Sequence, residues 1–149
     1  MKIIITYTAV FLVIVGSFIT LISLSQSPEK KIVGQWKELS WEYERVNKVG
    51  DSSKEITDDV KKIIGQHLLI HEAETWQFLP NGKLLLQAGE NEKLVSWKIK
   101  GRGNILQLKY DDQVIENYNL TELDNNKMIL NFDSEIQARG IAKLTFEKS

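Results

Sequence analysis

The chain has 149 residues, 42% of them hydrophobic, which allows one globular domain of ordinary size beside any targeting segment and leaves no room for two. A formal net charge of -1, with Lys and Arg scattered along the sequence, excludes the basic footprint that nucleic acid requires. The absence of cysteine excludes disulfide scaffolds, thiolate metal centres, cysteine nucleophiles and lipid attachment through a cysteine.

From Ile3 to Leu24 the chain carries no charged residue, about the length that spans a bilayer as a helix. Lys2 supplies the basic start of a secretory signal, and Ser23 and Ser25 could occupy the small positions of a cleavage site. The apolar run is longer than a signal core and lacks an Ala-x-Ala step, so residues 1–25 are expected to be either an uncleaved membrane anchor or a signal peptide. In both cases the globular part is expected outside the cytoplasm. Lys2 on one side and Lys30 and Lys31 on the other leave the orientation open. Residues 26–31, polar and containing Pro28, are expected as a linker, and residues 32–149 as the domain.

The domain opens on a strand near Val33 to Val46 that carries Trp36, Trp41 and Tyr43. Its second half is a succession of short strands separated by tight turns: Pro80-Asn81-Gly82, Gly101-Arg102-Gly103-Asn104, Asp111-Asp112 and Asp124-Asn125-Asn126. Each connection is too short for a crossover helix, so consecutive strands must be antiparallel neighbours. Large apolar residues alternate along them, as in Trp76/Phe78, Leu84/Leu86/Ala88, Val95/Trp97/Ile99, Leu106/Leu108/Tyr110 and Tyr118/Leu120, giving one buried face per strand. With a closing strand near Ala138 to Glu147 the pattern makes eight strands, which suits an all-β, antiparallel up-and-down barrel without exposed edges.

One stretch departs from alternation. Ser53 to Glu74 spaces Ile56, Val60, Ile63, Ile64, Leu68 and His71 close to a helical period, with Ser53 or Thr57 as cap and Gly65 as a point of kinking. This helical insertion is expected to lie as a lid across one end of the barrel, with packing on the outside as the alternative.

Val33-Gly34-Gln35-Trp36-Lys37, the hairpin Phe78-Leu79-Pro80-Asn81-Gly82-Lys83 and the later Trp97-Lys98 resemble the lipocalin superfamily, most closely the bacterial lipocalin-like domains common in Bacteroidota. The resemblance spans about Ile32 to Lys148. It implies that Gly34 lets the chain enter the barrel floor and that Trp36 plugs that floor beneath an arginine of the last strand, for which Arg139 is the candidate. Arg139 shares parity with Lys143 rather than with Ala142, Leu144 and Phe146, so it points inward only if Gly140 forms a bulge. The resemblance further implies a cup for a small apolar ligand, lined by Trp41, Tyr43, Trp76, Phe78, Leu86, Trp97, Leu108 and Tyr118.

Other constellations are weaker. His67 and His71, at i and i+4 with Glu74 one turn on, have a spacing that can hold a metal, but no second ligand cluster exists and no metal is expected. Glu116 has the parity of Tyr118 and Leu120 and could enter the barrel, bonded by Tyr110 or Tyr43; a register shift near Asp111-Asp112 that leaves it in solvent is the expected outcome. No nucleophile motif or phosphate loop is present, so neither catalysis nor a cofactor is expected. The expectation is a binding protein of the bacterial envelope, either inner-membrane anchored with a periplasmic domain or exported. A solid-barrelled accessory subunit of an envelope membrane complex, with a protein partner, is the alternative.

Overall fold

The computed structural model describes residues 27–45, 54–70, 72–111, 113–134 and 140–149, together with Phe11 and Val13. The chain enters through a short helix α1 (Pro28–Ile32) and continues into β1 (Gly34–Arg45), β2 (Lys54–Glu55), α2 (Asp58–Gly65), β3 (Thr75–Phe78), β4 (Lys83–Ala88), β5 (Asn91–Lys100), a single 3-10 turn (Gly101–Gly103), β6 (Ile105–Tyr110), β7 (Val114–Leu123), β8 (Lys127–Ser134) and β9 (Gly140–Lys148). Every strand pair is antiparallel, from β1–β3 through β8–β9, and β9 returns to pair with β1. The result is a closed up-and-down barrel of eight antiparallel strands, with β2 as a two-residue flap on the far half of β1.

The turns form for local reasons. At the β3–β4 hairpin Gly82 takes φ +76, where a side chain would be strained, and Asn81 Oδ1 accepts the Lys83 N–H at 3.1 Å. At the β7–β8 hairpin Asp124 Oδ1 accepts the backbone N–H groups of Asn126 and Lys127, which hold its carboxyl below the usual carboxylate range.

The opening strand solves a parity problem that the sequence leaves unexplained. Trp36 and Trp41 are five residues apart and should face opposite sides of a regular strand, yet both are buried in the core. The register shifts between Glu38 and Ser40, and this bulge throws Leu39 outward at 55% exposure and turns Trp41 and Tyr43 inward. The β1–β9 pairing runs without a break from Arg45–Gly140 to Trp41–Leu144, so the bulge of this strand pair lies on β1 and not at Gly140. Arg139 itself lies outside the described residues.

Two segments differ from expectation. The 26–31 linker is in part a structural element: α1 takes Pro28 to Ile32, and Ile32 is fully buried in the core. The expected helix of Ser53 to Glu74 is shortened at both ends, because Lys54 and Glu55 pair with Tyr43 and Glu42 and the helix stops at Gly65. Thr57 is its N-cap, but its side chain makes no capping bond. Of the expected stripe, Ile64 is buried and Ile56 and Leu68 pack against the core, but Val60 and Ile63 are 40% and 45% exposed, and the following Leu69, Ile70 and Ala73 enter the core as well. The expected anchor or signal over residues 1–25 falls almost entirely outside the described residues, and no helix among the described residues is long and apolar enough to cross a membrane.

Candidate functional site

The barrel has a floor and a mouth. At the floor, Trp36 is fully buried and its indole N–H donates to the Ile32 carbonyl at 2.7 Å, which ties α1 to the plug. Lys148, the register partner of Trp36, places its ammonium 5.0 Å from the indole centroid and donates to the Lys31 carbonyl at 2.8 Å. Among the described residues the cation over the plug is Lys148. Burial lowers the Lys148 ammonium below the usual lysine range. Gly34 is required here, because it takes φ +128 and a Cβ would fall 2.8 Å from Lys148 Cε.

Of the expected lining residues, Trp41, Trp76, Phe78, Leu86, Trp97, Leu108 and Tyr118 share one buried cluster, with Tyr43 half-buried against it. They do not all play one part. Phe78 and Trp97 meet edge-on at 5.4 Å beside the lower β3–β4 hairpin, where the Trp97 indole N–H is already taken by the Leu79 and Lys83 carbonyls. That pair fastens the hairpin. From there an aromatic chain rises through Trp76, Tyr118 and Phe132 to Trp41, with neighbouring ring centroids 5.8 to 6.5 Å apart.

The lid closes the mouth, since Leu69, Ile70 and Ala73 pack into the barrel core. Among the described residues several polar contacts fasten it to the wall, including backbone bonds of Glu74 to Glu38 and Gln87. The Leu69 N–H donates to Glu116 Oε1 at 2.8 Å, the Ile56 N–H donates to the Trp41 carbonyl at 3.0 Å, and Lys61 pairs with Glu38. Lys61 also stands 5.2 Å from the Trp41 ring. Glu116 thus faces the barrel and not solvent, because the β6–β7 register is regular from Tyr110–Val114 onward. Its partner is Tyr118, whose hydroxyl donates to Oε2 at 2.5 Å, rather than Tyr110 or Tyr43. Burial, followed by the neighbouring Glu116 charge, raises the Tyr118 phenol far above its ordinary value, so it remains a donor.

Under the lid, the indole N–H groups of Trp41 and Trp76 and the hydroxyl of Ser134 are buried with no hydrogen-bond partner among the described residues. Each such group costs about 1–3 kcal/mol unless something satisfies it. Separately, a cleft of about 260 Å³ that none of these three residues lines opens between the lid, at Leu69, Glu72 and Ala73, and the upper β4–β5 hairpin, at Leu86, Ala88 and Lys93. Phe132 and Ser134 were legible as the inward parity of Met128, Leu130 and Phe132 on β8, whereas Glu38 and Lys61 depend on a bulge and a lid contact that no local pattern announces. His67 is exposed, His71 lies outside the described residues, and no group of three potential metal ligands occurs among the described residues.

No family model matches the chain, and no curated protein does. Among solved structures, the chain is similar to the crystal structure of a lipocalin-like protein from Bacteroides uniformis, with 11% identity and a TM-score of 0.42, over 80% of this chain and 99% of that one.

Proposed function

We propose that the protein is a non-enzymatic, lipocalin-like binding protein of the bacterial envelope, held by or exported through residues 1–25, that takes a small, mainly apolar ligand in the upper barrel beneath the lid. The single observation that supports this reading is the set of buried donors with no partner among the described residues, Trp41 Nε1, Trp76 Nε1 and Ser134 Oγ, among aromatic side chains. Such a site suits a ligand with an apolar body and at least one hydrogen-bond acceptor. The lid is attached by a few polar contacts, so it can move without breaking the barrel. A second reading, the solid accessory subunit, is favoured by the aromatic chain that fills the interior. Native mass spectrometry of protein purified from its own membranes separates the two. A retained small-molecule mass that Trp41→Phe diminishes supports the binding protein; a bound protein subunit with no small ligand supports the alternative.

A further inference from the structure

The near-zero net charge hides a separation between the two ends of the barrel. Lys30, Lys31, Lys100, Arg102 and Lys127 stand around the floor, on α1, the 3-10 turn and the lower hairpins, with Lys148 among them, while Lys83 turns its ammonium up the wall to Ser96. Glu29, Glu122, Asp124 and Glu147 share that end, but Glu122 lies 3.3 Å from Lys127 and Asp124 is engaged by two backbone N–H groups. At the mouth the sign reverses: Glu55, Asp58, Asp59, Glu72, Glu90, Glu92 and Asp111 are exposed there, against Lys54, Lys61, Lys62, Lys93 and Lys109 among the described residues, Lys61 being paired with Glu38.

The floor also contains a notch. Between α1 and the 3-10 turn lies a cleft of about 200 Å³ lined by Lys31, Arg102, Asn104 and Thr121, with Pro28 and Leu120 as apolar wall and Glu122 at its edge. Arg102 is held in the left-handed region, φ 58, between Gly101 and Gly103 at φ +59 and +98. A side chain is disfavoured in that conformation, so the turn presents a guanidinium at local conformational cost. Guanidinium and ammonium together suit a phosphate.

Chain continuity places this end next to the apolar run. That run ends at Leu24 and α1 begins at Pro28, and the three residues between them can span at most about 11 Å, close to one Debye length. We infer that the floor is a docking surface for an anionic phospholipid bilayer, with a headgroup phosphate at the Lys31–Arg102 notch and the acidic mouth turned away from the membrane. The inference rests on the reading of residues 3–24 as a membrane segment.

The test uses the full chain, which has no cysteine, carrying one fluorescent label at Asn125→Cys on the floor or at Glu92→Cys at the mouth. The chain is added to phosphatidylcholine vesicles with or without phosphatidylglycerol, containing a headgroup nitroxide quencher. The floor label should be quenched more strongly than the mouth label, and this difference should be several-fold larger with phosphatidylglycerol present than without it. Lys31→Glu with Arg102→Glu should reduce that difference to its level without phosphatidylglycerol. Arg102→Gln alone, a milder change at an exposed site, should reduce it in the same direction while tryptophan emission stays unchanged. Equal quenching of both labels, or floor quenching indifferent to lipid charge, overturns the inference. Co-flotation with neutral vesicles at high salt reports insertion of residues 3–24 separately. Flotation with equal labels sinks the docking surface alone, and charge-dependent floor quenching without such flotation sinks the membrane segment alone.

Discussion

Lys148 lies over the Trp36 ring at the barrel floor, its ammonium 5.0 Å from the centroid, while Trp36 itself bonds back to Ile32. Plug, cation and entry helix therefore form one unit at the point where the chain enters the barrel. Trp36→Ala should cost about 3–5 kcal/mol, the range for a buried aromatic, read as a lowered urea midpoint. Starting the chain at Val33 rather than Ser27 should also destabilise it measurably, because it removes the fully buried Ile32 and leaves the indole N–H without its acceptor. A truncation at Ser27 with the stability of one at Val33 would show that α1 is not part of the fold.

The Glu116 carboxylate joins lid to wall through the Leu69 N–H, and Tyr118 holds its other oxygen. Glu116→Ala should leave that N–H buried without an acceptor, at a cost of about 1–3 kcal/mol. The loss should be local. Amide hydrogen exchange should speed up across Leu68 to Ala73, while β6 to β8 keep their protection. Uniform acceleration over the whole barrel would mean that the lid does not open as a separate unit.

Much of the barrel was legible because antiparallel hairpins write themselves twice, once in the alternation and once in the turn. Trp76/Phe78 and Leu84/Leu86 are buried as their parity requires, across the turn at Pro80-Asn81-Gly82. The bulge at Glu38–Ser40 was not, since one extra residue inverts parity without any local marker such as glycine. The lid was half legible. Its helical spacing was real, but the face that is buried is set by Glu38, Trp41 and Glu116 on distant strands, so Val60 and Ile63, apolar in sequence, remain exposed. The roles of Phe78 and Trp97 also exceeded the pattern, because parity says that a side chain is inside, not whether its indole N–H already has a partner.

Tyr118 makes the alkaline limb of stability a specific test. Its phenol is raised above the ordinary value of about 10 by burial and by Glu116, so above pH 10 the unfolded chain loses this proton while the folded chain keeps it. The unfolded state then binds fewer protons, and stability falls as pH rises, by at most about 1.4 kcal/mol per pH unit from this group. Below pH 10 the group contributes no slope. Urea midpoints at pH 8 and pH 11 should therefore diverge more for the natural chain than for Tyr118→Phe. An identical alkaline slope in both would place the phenol in contact with solvent.

The two tryptophans Trp41 and Trp97, alike in burial at 3% and 8%, should behave differently because their N–H groups do. Trp97 donates to the Leu79 and Lys83 carbonyls, which also accept the Gly82 and Leu79 N–H groups, so Trp97→Phe removes the indole bond without stranding either acceptor and should cost about 0.5–1.5 kcal/mol without changing what the mouth can hold. Trp41 has no acceptor among the described residues, so Trp41→Phe removes an unsatisfied buried donor and should be near neutral or stabilising in the unliganded protein. The ring stack against Phe132, edge-on at 5.8 Å, can be kept by phenylalanine. Binding should reverse this order. An apolar fluorescent probe with a carboxylate head should lose about tenfold in affinity in Trp41→Phe, since a hydrogen bond to a charged group contributes about 1.5–3 kcal/mol, and should be unaffected in Trp97→Phe. Titrating the probe into both variants and the natural chain, with urea melts alongside, measures the two quantities separately. Equal probe affinity in all three would remove Trp41 from the ligand site and leave a filled barrel, with the accessory-subunit reading in the lead.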